Sequence, residues 1–155
     1  MKKVIVLVAA AFALSAPVTL LAAQGHGAMK MDHGDHAGDV AHEEVVNGVK
    51  ATFSIMSMKE HLKAMKMEMP KGMTETHHIK VEFKDAKTGK ALTEGEVKAK
   101  VQGPDKVEQV KDLIGMDGHF GADFNLGKKG KYGVMTKFKL KDGKVRSAKF
   151  WYTVK

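Results

Sequence analysis

The chain has 155 residues, 43% of them hydrophobic and 28% charged, which suits one domain around one core and is too polar for a membrane bundle. Cysteine is absent. That excludes a disulfide scaffold, a thiolate zinc site, an iron–sulfur cluster, a cysteine nucleophile and a lipoprotein anchor. The net charge is +8, and 11 methionines and 8 histidines stand out in so short a chain.

Residues 1–23 read as a secretory signal peptide. Lys2 and Lys3 precede an apolar run from Val4 to Leu14, broken by Ser15, Pro17 and Thr19 and followed by small residues. The run is too short and too interrupted for a stable span. Cleavage after Ala23 predicts a periplasmic protein with no membrane span. The mature chain then carries 24 basic against 18 acidic residues. The excess lies in residues 76–155, with 18 basic and 10 acidic residues, whereas residues 25–75 hold 6 and 8. No aromatic interleaving or nucleic-acid motif accompanies it, so it reads as a solvated basic surface with no nucleic-acid partner.

Residues 24–44 are rich in Gly, His, Asp and Met without apolar periodicity, and are expected to form a disordered tail. Period-two alternation begins after it. Val49, Ala51, Phe53 and Ile55 mark a first strand. Residues 59–73 are a loop or short helix stopped by Pro70 and Gly72. Ile79, Val81 and Phe83 mark the next strand, then Val97, Ala99 and Val101, ended by Gly103-Pro104. Residues 106–114 fit strand or helix. Phe120, Ala122, Phe124 and Leu126 follow, then Tyr132, Val134, Thr136, Phe138 and Leu140. Asp142-Gly143 reads as a two-residue type I′ turn into a last strand with Ala148, Phe150, Tyr152 and Val154 on one face. About seven short strands over residues 45–155 predict an all-β, immunoglobulin-like antiparallel β-sandwich. Gly130-Lys131-Tyr132 matches a tyrosine corner, whose hydroxyl ties back to the preceding loop.

His77-His78 opening a strand, Gly103-Pro104, Met116-Asp117-Gly118-His119-Phe120 and Gly130-Lys131-Tyr132 together resemble the YtkA-like group of small secreted bacterial β-sandwich domains, over roughly residues 45–155. The resemblance implies a sandwich in the periplasm or at the cell surface. It also implies a role in copper or other metal handling, or in respiratory-oxidase assembly.

Thioethers are soft and neutral, and imidazole is borderline. A Met/His set without thiolate favours copper, with Cu(I) preferring the sulfurs. Gly118 allows a tight turn that converges Met116 and His119. His77 and His78 point to opposite faces of one strand, and Met56 and Met58 end the first strand on its non-core face. If these strand ends meet at one rim, they supply a two-Met, two-His site; otherwise Met116 closes the core and the histidines are solvated. Met65, Met67, Met69 and Met73, with His61, form either a labile Cu(I) site or a lid over an apolar rim. In the tail, His26, Met29, Met31, His33, His36 and His42 suit metal capture by composition. Cleavage after Ala23 would start the mature chain Gln24-Gly25-His26, and the amine, two amides and the His26 imidazole would form a square-planar Cu(II) set.

Enzyme signatures such as Gly-x-Ser-x-Gly or His-Glu-x-x-His are missing from the sequence. The expectation is therefore a non-enzymatic metal-binding protein that captures or delivers copper. The alternative is an interaction sandwich that docks a periplasmic or inner-membrane respiratory or efflux partner through its basic face and Trp151, with metal incidental.

Overall fold

The computed structural model describes residues 38–155. The signal peptide, His26 and residues 24–37 of the expected tail lie outside the described residues.

Eight strands and one short helix follow in the order β1 (Val40–Val46), β2 (Val49–Ser57), α1 (Met58–Ala64), β3 (His77–Asp85), β4 (Gly95–Gln102), β5 (Glu108–Met116), β6 (His119–Phe124), β7 (Gly130–Leu140) and β8 (Val145–Val154). All pairings are antiparallel, in the spatial order β1-β2-β3-β6-β5-β4-β7-β8. β5 joins the two halves. Its residues Glu108 to Leu113 pair with β4, and Ile114 to Met116 pair with β6. The two ends of the order come back together. The His42 ring of β1 stacks on Phe150 of β8 with centroids 4.9 Å apart, and Arg146 donates to the Asn47 carbonyl at 3.2 Å. The result is an eight-stranded, nearly barrel-like antiparallel sheet.

Alternation places the core as the apolar pattern requires. Ala51, Phe53, Ile79, Val81, Phe83, Ala99, Val101, Phe124, Val134 and Phe138 are buried in one cluster. Side chains of a strand alternate between faces, so the residues between them point outward. Residues 106–114, which fit strand or helix by pattern, are mostly strand. The Tyr132 hydroxyl donates to the Lys128 carbonyl at 2.8 Å and accepts from Lys128 N–H at 3.1 Å, closing the loop before β7.

Three details differ from the sequence expectation. An eighth strand, β1, begins at Val40, inside the segment read as tail. It is turned back on β2 by Asn47-Gly48, both at positive φ (44° and 77°), the backbone of a two-residue hairpin. The Asp142-Gly143 connection is four residues, Lys141–Lys144, and only Gly143 has positive φ (74°). Asp142 instead accepts from Lys144 N–H and from Arg146, which shapes a longer loop. Met58 is the first residue of α1 rather than the end of the strand.

Candidate metal centre

The outer face of β2 and β3 is polar by alternation, yet part of it is closed to solvent. Ser54, Met56, His78 and Lys80 are all buried. The local cause is α1, which follows β2 directly and folds over it. Ser57 caps that helix. Its Oγ accepts from Glu60 N–H at 3.2 Å, and the Glu60 carboxylate accepts from Ser57 N–H at 3.3 Å. This reciprocal box satisfies two amide donors at the helix start. On the inner side of α1, Met58 and Leu62 are buried. Met58 N–H donates to the Thr76 carbonyl at 2.7 Å, which fixes the helix beside the start of β3.

His78 lies under this cover, 3% exposed. In the ladders it faces Met56 on β2 and Asp123 on β6, so one row crosses three strands: thioether, imidazole, carboxylate. The His78 Nδ1 and Asp123 Oδ1 are 2.6 Å apart. His61 lies over the row from α1, its ring stacked on that of His78 with centroids 3.9 Å apart and planes 5° from parallel. Nitrogens of His61 and His78 and an oxygen of Asp123 all fall within 4.8 Å of one another.

The His78 ring is oriented from two sides. Asp123 engages Nδ1, which leaves Nε2 as the remaining nitrogen of the ring. Gly121 supplies the space: a Cβ there would stand 2.6 Å from His78 Nε2 and 2.8 Å from Cε1. Only a residue without a side chain permits this ring position. Nε2 is buried and has no hydrogen-bond partner. A buried polar nitrogen left unpaired costs about 1–3 kcal/mol, a cost that a bound ion or water at this atom would relieve.

The carboxylate of Asp123 is the acidic group of the centre. The hydrogen bond with His78 is the largest influence holding the Asp123 carboxyl below its ordinary range, and the charge of Lys111 adds to it. An imidazole whose far nitrogen is held by a carboxylate is the usual form of a metal-ligating histidine. The stack sets a geometric condition. Nitrogen–metal bonds lie in the ring plane at about 2.0–2.1 Å, so an ion in the plane of one ring stands well off the plane of the other. Joint ligation requires one imidazole to turn about its side-chain torsions.

The structure brings together some of the sequence candidates. Met56 and His78 are cross-strand neighbours on one face. Met58 is buried at the start of α1. His77 points to the opposite face from His78. Its Nδ1 is 2.7 Å from Thr76 Oγ1, its ring meets Tyr152 edge-on at 6.4 Å, and burial lowers its pKa. Met116 and His119 face each other across a two-residue turn, Asp117-Gly118, with φ of 44° and 82°. That hairpin is at the far end of β6 from Asp123, because β3 and β6 run antiparallel with His78 opposite Asp123. Met116 is exposed. The His119 side chain remains within electrostatic reach of the centre: burial, then the charges of Lys80 and His78, lower its pKa.

The structure places His61 beside His78 rather than with the loop methionines, and adds Asp123 to the centre. Ser57-x-x-Glu60 is a readable helix start, and it is this helix that carries His61 over β2 and β3. Asp123 lies on the outward face of its strand by alternation, where an acidic side chain gives no metal signal of its own. Its alternation with Phe120 and Phe124 gives its face, but the β3–β6 pairing that puts it beside His78 is long-range.

No protein-family model matches the chain, and the curated proteins searched include no match. Solved structures do resemble it. A copper-bound variant of FetP from uropathogenic Escherichia coli superposes with TM-score 0.57 at 13% identity, covering 77% of this chain and 90% of that one. A copper-bound variant of Campylobacter jejuni P19 gives 0.55 at 11% identity, covering 76% and 96%. A DUF4426 family protein from Pseudomonas aeruginosa gives 0.54 at 13% identity, covering 73% and 96%. At these identities the likeness is one of fold. Among the described residues no helix is long and apolar enough to cross a membrane.

Proposed function

We propose that the protein is a periplasmic, non-enzymatic metal-binding protein that captures or delivers copper. The observation that carries this reading is the buried, unpartnered Nε2 of His78, aimed by the Asp123 bond at Nδ1 and overlain by a second imidazole. Met56, facing His78 from β2, adds a soft donor nearby. Imidazole with thioether and without thiolate suits copper better than zinc or magnesium. The copper-bound FetP and P19 variants of similar fold support the same choice. His78 is the primary ligand in this reading and His61 the second after its ring turns, with Asp123 orienting His78. His119 and Met116, paired at the β5–β6 turn, are a set of donors apart from this one. The YtkA-like resemblance, the immunoglobulin-like description of the sandwich and the signal peptide belong to the same reading.

Copper titration against a chromophoric competitor tests it. The wild-type chain is expected to bind with submicromolar affinity, and His78→Ala to lose at least one equivalent while keeping its fold by circular dichroism. Equal uptake by both proteins would remove His78 as a ligand.

A second reading has one observation in its favour. Trp151 is exposed, with Lys131 Nζ 4.8 Å and Lys149 Nζ 5.3 Å from its ring. A cationic aromatic patch of this kind fits an acidic protein partner. Capture of a partner that persists under strong chelation and is lost in Trp151→Ala supports docking as the main role.

A further inference from the structure

We infer that the end of α1 carries a second metal site, a surface cuprous-ion site built from the thioethers of Met65, Met67 and Met69. The choice of cation rests on the metal-binding reading above; the site itself is separate from the His78 centre.

The first observation is exposure. Met65, Met67 and Met69 are 39%, 55% and 51% exposed. All three are open to solvent at the surface, where an incoming ion can reach their sulfurs. Three large apolar side chains within five residues stand in water, where each forgoes the burial that ordinarily holds methionine inside.

The second observation is that the backbone beneath them is fixed. Met65 is the C-cap of α1. Lys66 takes the left-handed conformation at φ 55°, a position normally given to glycine. Lys66 N–H donates to the Lys63 carbonyl at 3.0 Å, and Met67 N–H donates to the Leu62 carbonyl at 2.8 Å. These two bonds are the paired closure of a Schellman turn. The chain thus reverses at Lys66, with one methionine before the reversal and one after it, both at the same helix end. The capping box closes the other end of this seven-residue helix. Met65 and Met67 are therefore carried by a bracketed element, and Met69 lies two residues beyond it.

The third is chemical. Cu(I) accepts two or three neutral sulfurs in linear or trigonal geometry, and thioethers bind it at any pH in an oxidising compartment. The three thioethers are soft donors and favour Cu(I) over harder divalent ions, with Glu68 standing between Met67 and Met69. His61 lies on the same helix, and its carbonyl accepts from Met65 N–H at 3.2 Å. The surface site thus sits one helical turn from the imidazole over His78.

The test uses the full chain with carbon-13 in the methionine methyl groups, and Ag(I) as a redox-inert probe alongside Cu(I). The methyl resonances of Met65, Met67 and Met69 are expected to shift on adding one equivalent of Ag(I), while buried Met58 does not. The triple variant Met65→Leu, Met67→Leu, Met69→Leu conserves volume at exposed positions, and is expected to take up one fewer equivalent of Cu(I). Unmoved methyl resonances, or equal uptake by the triple variant, overturn the site. His78→Ala separates the two claims. Methyl shifts that persist in that variant support the surface site whether or not its copper uptake falls, and the uptake alone decides the His78 centre.

Discussion

The His78 imidazole and the Asp123 carboxylate meet at 2.6 Å across the ladder between β3 and β6. The bond occupies Nδ1 and fixes the ring, so Nε2 is the only nitrogen His78 has left for a ligand. Asp123→Ala removes the orienting acceptor and leaves a second buried ring nitrogen unpaired. Destabilisation of about 1–3 kcal/mol is expected, with copper affinity lowered roughly 10–100-fold. Urea unfolding and competitive titration measure the two effects separately. Unchanged affinity would show that the carboxylate does not orient the ligand.

Gly121 gives a steric test of the same ring. A methyl group there meets His78 Nε2 at 2.6 Å, so Gly121→Ala forces the imidazole off its position. Overpacking of this kind costs about 1–3 kcal/mol, and the imidazole resonances of His78 should move even without metal. A variant with wild-type melting temperature and unchanged imidazole shifts would contradict the packing described.

The short helix holds His61 over the centre through its cap. Ser57→Ala deletes the Oγ that accepts from Glu60 N–H, a loss of about 0.5–2 kcal/mol. Faster amide exchange across α1 and weaker copper binding are expected, with His78 and the strand ladders intact. Amide exchange read by NMR checks the first part.

Acid stability should report the hairpin anchor at the other side of the molecule. Asp142 accepts from Arg146 and its pKa falls from 3.8 to about 2, chiefly through that bond. A carboxyl depressed in the fold adds stability that is complete above 3.8 and lost as the pH falls through about 2. Asp142→Asn should therefore narrow the stability gap to wild type as the pH drops across that window. Denaturant midpoints between pH 5 and pH 2 test the direction; a gap that widens on acidification would contradict it.

The inward face of each strand could be read from alternation, because most alternate residues of β2, β3, β4, β6, β7 and β8 are apolar and fill one core. Tyr132 was legible for a local reason, since its hydroxyl bonds only four residues back. β1 was hidden by composition. Val45-Val46-Asn47-Gly48-Val49 is a strong hairpin signal, but the histidine- and acid-rich segment before it masked the short alternation. His78 could be placed on the outer face from its neighbours. Its burial could not, because that depends on α1 folding back over β2. The separation of His119 from His78 follows from which strand β6 pairs with, a contact between distant segments that no local pattern encodes.

The nitrogen spectrum of the imidazoles, recorded while copper is added as Cu(I), tests the central claim most directly. The account predicts that Nε2 of His78 shifts on binding while Nδ1 keeps its proton on the Asp123 side, and that Asp123→Ala weakens this response. Saturation of the protein with copper while the His78 nitrogens stay unmoved would contradict it.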